Sequence, residues 1–140
     1  MYIKQLSVFV ENKGGRLAEI TSVMAGADIN IRGLSIADTT DFGILRLIVD
    51  KPFEAEQKLK AAGLTVSLCD VIAVSIPDKT GGFAETMKAV SDKDVGVEYV
   101  YEFVPRGASH AYFVLRVADN EKAVAALKAH GCEFLAGEEY

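Results

Sequence analysis

Asn12-Lys13-Gly14-Gly15-Arg16-Leu17-Ala18-Glu19 is answered 66 positions later by Asp78-Lys79-Thr80-Gly81-Gly82-Phe83-Ala84-Glu85. Lys, Gly, Ala and Glu coincide, and Leu17 faces Phe83. Without a gap, the same offset carries Asp28-Ile29-Asn30-Ile31 onto Asp94-Val95-Gly96-Val97. Ile44-Leu45-Arg46-Leu47 matches Val114-Leu115-Arg116-Val117 at an offset of 70, which makes Arg46 and Arg116 equivalent. Leu59-Lys60-Ala61-Ala62-Gly63 matches Leu127-Lys128-Ala129-His130-Gly131 at 68. The chain of 140 residues therefore reads as a duplication, with units over 1–70 and 71–140.

Each half carries the same order of elements. A strand (2–10, then 71–77) leads through a glycine-containing turn into a helix, 15–26 and 81–92. Leu17, Ile20 and Met24 keep a helical spacing, as do Phe83, Met87 and Val90. Two strands follow, 29–37 and 43–50 in the first half, 95–104 and 111–118 in the second. A second helix covers 52–62 and 120–130. Gly63 and Gly131 fall where a helix C-terminus is expected. A last strand closes each unit, 64–69 and 132–136. The order βαββαβ predicts an α+β fold, a ferredoxin-like unit repeated twice, with antiparallel sheets and both helices on one face. In the third strand Leu45, Leu47 and Val49 point toward the helices, while Ile44, Arg46 and Ile48 point away. In its counterpart Phe113, Leu115 and Val117 oppose Tyr112, Val114 and Arg116. The outer faces are apolar for surfaces in water and invite a partner. The run from Leu64 to Ile76 reads as nearly continuous strand, interrupted only around Cys69-Asp70.

At the turn after each first strand, the chain resembles the ACT family of small-molecule-binding regulatory domains. That family places an acidic or amide residue, a basic residue, Pro, Gly, any residue and Leu before a helix. Asn12-Lys13-Gly14-Gly15-Arg16-Leu17 and Asp78-Lys79-Thr80-Gly81-Gly82-Phe83 follow the pattern, with Gly14 and Thr80 where the family has Pro. The family's hydrophobic-Asn-hydrophobic triplet is met by Ile29-Asn30-Ile31, but not by Val95-Gly96-Val97. The resemblance implies a stand-alone tandem ACT protein: a cytoplasmic amino-acid sensor without catalysis, whose ligand lies at the interface between ACT units.

It also implies the site. In the first unit the ligand contacts are Asn12, Gly14, Gly15, Arg16 and Leu17, joined by Asn30 and Ile31. In the second they are Asp78, Gly81, Gly82 and Phe83. A helix N-terminus offers unpaired N–H groups and partial positive charge to a carboxylate. The amide of Asn12 reads either pole of a zwitterion, and Asn30 does the same from the facing unit. The charge of Asp78 repels a carboxylate, so the first unit is the better site. A plain helix cap or turn role remains open for Asn12 and Asp78.

Composition narrows the alternatives. The net charge is −5 with no basic run, which argues against nucleic acid and anionic membranes. No apolar stretch approaches the ~20 residues needed to span a bilayer, and the N-terminus lacks a signal-peptide pattern. Cys69 and Cys132 form no metal-like spacing, and His110 and His130 stand alone, so no metal and no cofactor are expected. Tyr99, Tyr101 and Phe103 read as a core or interface stripe. No nucleophile has a companion base nearby. The expected partners are an amino acid, a second copy of the chain in a dimer, and an enzyme of amino-acid metabolism. The competing class is an assembly protein using the outer sheet faces without ligand; an enzyme on a ferredoxin-like scaffold has no specific support.

Overall fold

A computed structural model describes residues 2–11, 13–38, 41–108 and 111–137. Two compact units separate within the chain: Lys4–Asp70, and Val71–Gly137 together with Tyr2 and Ile3. The elements are β1 (Tyr2–Glu11), α1 (Arg16–Gly26), β2 (Ile31–Asp38), β3 (Phe42–Val49), α2 (Pro52–Ala61), β4 (Val66–Ser75), α3 (Gly82–Ser91), β5 (Val97–Phe103), β6 (Tyr112–Val117) and α4 (Asn120–Ala129). Both units are ferredoxin-like βαββαβ folds with antiparallel sheets.

In the first unit β3 pairs antiparallel with both β1 and β2. The last strand lies beside β1, with Phe9 N–H donating to the Thr65 carbonyl at 3.0 Å. Lys4 meets Asp70 at 2.7 Å, and Gln5 Nε2 meets Cys69 Sγ at 3.6 Å. Alternation aims Leu6, Val8, Leu45, Leu47 and Val49 at Ile20 and Met24 of α1 and at Ala55 and Leu59 of α2. Each large aliphatic side chain so buried contributes about 1.5–3 kcal/mol.

In the second unit β6 pairs antiparallel with Ile72–Ser75 of β4 and with β5. Its core joins Ile72, Val74, Leu115 and Val117 to Val90, Ala123 and Leu127. The strand expected over 132–136 is reduced to one antiparallel bridge, Val74 to Phe134. Ser75 N–H donates to the Glu133 carbonyl at 2.9 Å and Leu135 N–H to the Ala73 carbonyl at 3.0 Å, framing that bridge. The interruption expected around Cys69-Asp70 is absent: β4 runs unbroken from Val66 to Ser75. Ile48 and Val114, expected on open faces, are buried, whereas Ile44 and Tyr112 are half-buried.

The duplication extends to backbone conformation. Gly15 and Gly81 share φ 86°, Asp28 and Asp94 have φ 56° and 57°, and Gly63 and Gly131 have φ 85° and 86°. The hydrogen-bond register corrects one offset. Val8 pairs with Leu45, but Val74 pairs with Phe113, so β6 follows β3 by 68 residues and not 70. Arg46 therefore corresponds to Val114, and Arg116 to Ile48; the two arginines are not equivalent.

The candidate ligand site at the first-helix turns

Both turns are built by the same backbone bonds. In the first, Lys13 N–H donates to the Glu11 carbonyl at 2.7 Å and Glu19 N–H to Gly15 at 3.0 Å. In the second, Lys79 N–H donates to Pro77 at 2.9 Å and Glu85 N–H to Gly81 at 2.9 Å. Gly15 and Gly81 are the N-caps and adopt the left-handed conformation, which a side chain would penalise by about 1–2 kcal/mol. Having no side chain, neither closes the helix end, and the N–H groups of the first turn keep their partial positive charge.

Beside the first turn lies a cavity of about 420 Å³, on the sheet face that carries the helices. Its lining includes Val10, Gly14, Leu17, Ile36, Gly43 and Leu45, with Glu11, Lys13, Arg16 and Asp38 as the charged members. Register explains the hollow. Val10, Gly43 and Asp38 lie abreast across β1, β3 and β2, and Val8, Leu45 and Ile36 form the next row. Gly43 contributes no side chain to the first row, so the space between Val10 and Asp38 stays open. A glycine inside a strand commonly marks such a close approach. Leu17, expected on the core stripe of α1, is instead 41% exposed and lies over this space. Phe83 takes the same place in the second unit and is also 41% exposed, while Thr86 and Val90 are the buried side chains of α3. The Thr86 hydroxyl is satisfied by donating to the Gly82 carbonyl at 2.9 Å.

The charged groups are ordered. Lys13 Nζ lies 2.9 Å from a Glu11 carboxylate oxygen, and Arg16 lies 3.5 Å from the same oxygen. Arg16 also meets Glu19 at 3.0 Å. Lys13 first, then Arg16, hold the Glu11 carboxyl below the usual carboxylate range. Glu19, with help from Glu11, pushes the Arg16 guanidinium above its ordinary value.

The second unit has a cavity of about 650 Å³ at the equivalent place, and most of its lining corresponds by register. Ile76 stands for Val10, Pro77 for Glu11, Lys79 for Lys13, Phe83 for Leu17, Glu102 for Ile36, Ala111 for Gly43 and Phe113 for Leu45. Phe83 and Phe113 lean together, with ring centroids 5.5 Å apart. Asp78 and Glu133 add two further carboxylates.

The residues expected at the site divide accordingly. Gly14, Arg16 and Leu17 come together in the first cavity, and Asp78 and Phe83 in the second. Gly15 and Gly81 act through the backbone. At Gly82 a Cβ would lie 2.4 Å from the Pro77 carbonyl oxygen, so its missing side chain serves packing. Asn30 and Ile31 sit at the opposite end of the first unit, because Ile31 pairs with Val49 while Asp38 pairs with Gly43. Seven residues of strand, roughly 23 Å, separate those ends. There the Asn30 backbone N–H donates to the Asp50 carboxylate at 2.9 Å. Asn12 and His110 lie outside the described residues. Residues the sequence reading missed include Ile36, Asp38, Gly43 and Leu45. Strand alternation combined with the register of a ferredoxin-like sheet was the available signal.

The model of an ACT domain pair matches residues 1–140. The chain belongs to this family. Protein BT0572 from Bacteroides thetaiotaomicron is 38% identical to this ACT domain pair over 99% of this chain and 95% of that one, with a TM-score of 0.89. The ligand-free regulatory subunit of aspartate kinase from Thermus thermophilus is 17% identical over 91% and 90%, with a TM-score of 0.66. Its counterpart from Thermus flavus is 16% identical over 90% and 88%, at 0.62. These two share the fold. No curated protein matches the chain. Among the described residues no group of His, Cys, Asp and Glu could hold a metal ion, and no helix is long and apolar enough to cross a membrane.

Proposed function

We propose that this ACT domain pair is a regulatory module that binds an amino acid beside the turn between β1 and α1 and performs no reaction of its own. One observation carries the reading: the first cavity sets Lys13 and Arg16 with Glu11 and Asp38 around an apolar floor. A zwitterion needs both signs of charge within a few ångströms, and charge-assisted hydrogen bonds are the strong ones. The carboxylate goes to Lys13, Arg16 and the helix N-terminus, and the ammonium to Asp38 and Glu11. An ACT unit of a second copy closing the open side would complete the interface site expected from the sequence. Occupancy would then be read by an enzyme of amino-acid metabolism in the cytoplasm, as the regulatory subunits of similar fold are named for aspartate kinase.

Self-association has its own support. Phe9 and Phe42 are 53% and 55% exposed on the sheet face away from the helices. Phe9 pairs directly with Ile44, one strand position pair from Phe42. A chain that assembles through this face without ligand is the competing reading. A thermal-shift screen of the twenty amino acids, followed by calorimetry on the best, separates them. Binding below millimolar supports the sensor; none among the twenty leaves the assembly protein.

A further inference from the structure

We infer that the first cavity selects an amino acid with an apolar aliphatic side chain, and that the second cavity does not take the same ligand. The inference rests on the amino-acid reading above and deepens it. Beneath the charged rim, the described lining of the first cavity is Val10, Leu17, Ile36, Gly43 and Leu45. None of these side chains donates or accepts a hydrogen bond. A ligand side chain that descends from the rim onto this floor trades water for carbon. An aliphatic chain gains by that exchange, and a polar one loses its hydrogen bonds without replacement. Gly43 supplies the depth, and Ile36, 50% exposed in the free protein, supplies apolar surface still to be covered.

The second cavity reverses these terms. Glu102 replaces Ile36, so a carboxylate stands where the aliphatic wall was. Phe113 replaces Leu45 and leans on Phe83, and Ala111 replaces Gly43, so this cavity, though larger at about 650 Å³, has an aromatic floor in place of an aliphatic one. Lys79 is the cation of its described lining, against Asp78, Glu102 and Glu133. A zwitterion's carboxylate is repelled there.

The test is calorimetric titration of the full chain with leucine, valine and methionine against their polar near-isosteres asparagine and threonine. The expected stoichiometry is one ligand per chain. Valine should bind about tenfold to a hundredfold tighter than threonine, the usual discrimination of an apolar pocket against an added hydroxyl. Ile36→Glu should weaken leucine by about tenfold or more, while Glu102→Ile leaves it unchanged. The panel on the parent protein needs no variant to fold. Equal affinity for threonine and valine, or two equal sites per chain, overturns the inference and leaves the amino-acid reading standing. Binding of no amino acid removes both.

Discussion

Replacing Gly82 with alanine tests whether the two turns, alike in backbone, have diverged in packing. The new Cβ would lie 2.4 Å from the Pro77 carbonyl oxygen, about 0.9 Å inside the ordinary carbon–oxygen contact of about 3.3 Å. The clashing atom is backbone, and it already accepts from Lys79 N–H at 2.9 Å. It cannot rotate aside; the turn must open. Overpacking of this kind costs about 1–3 kcal/mol, and weakening the Lys79 bond adds up to about 1. Alanine's better helix propensity returns at most about 1 kcal/mol at the first helical position. The net expectation is a loss of about 1–3 kcal/mol, or roughly 3–5 °C in Tm per kcal/mol for a chain of this size. At the corresponding position of the first unit stands Arg16, whose side chain is accommodated. Arg16→Ala removes only surface ion pairs and should leave the urea midpoint close to that of the parent. Urea denaturation of both variants at constant m-value is the assay. A Gly82→Ala protein as stable as the parent would refute the packing argument.

Other expectations concern titration. The Glu11 carboxyl titrates below its ordinary 4.5 in the folded chain. Its contacts with Lys13 and Arg16 are therefore complete above that value and are lost as pH falls through the lower folded value. Carbon-detected NMR titration should find the Glu11 midpoint below 4.5, and Lys13→Ala should raise it toward 4.5. Burial pushes the Cys132 thiol above its ordinary value, opposed only in part by the Thr86 hydroxyl. Iodoacetamide should alkylate Cys132 at mildly alkaline pH more slowly in the native chain than in urea; equal rates would contradict the burial.

Apart from the strand expected over 132–136, which forms only a bridge, the elements were legible because their signals are local. Pro52 opens α2, Gly63 ends its final turn, and Leu59 repeats at helical spacing from Ala55. Register was not legible. In Ile44-Leu45-Arg46-Leu47 the alternation has period two, so a slip of two residues keeps every side chain on its proper face and costs the sequence match nothing. Only the pairing of Val8 with Leu45 and Val74 with Phe113 separates an offset of 68 from 70. The floor of the site was hidden for the same reason. Gly43 is one more glycine until the register sets it between Val10 and Asp38. The turn residues Gly14, Arg16 and Leu17 were visible because they are contiguous. Asn30, expected to reach the ligand from a facing unit, lies at the far end of its own unit through antiparallel pairing.

The most direct test of the account is the affinity of Arg16→Ala for whichever amino acid most raises the melting temperature of the parent chain. Losing a hydrogen bond to a charged ligand group costs about 1.5–3 kcal/mol, or roughly tenfold to more than a hundredfold in affinity. Calorimetry should show one molecule bound per parent chain and a loss of at least tenfold in the variant, with the fold intact. Unchanged affinity in Arg16→Ala, or no amino acid bound below millimolar by the parent, would contradict a ligand site at this turn.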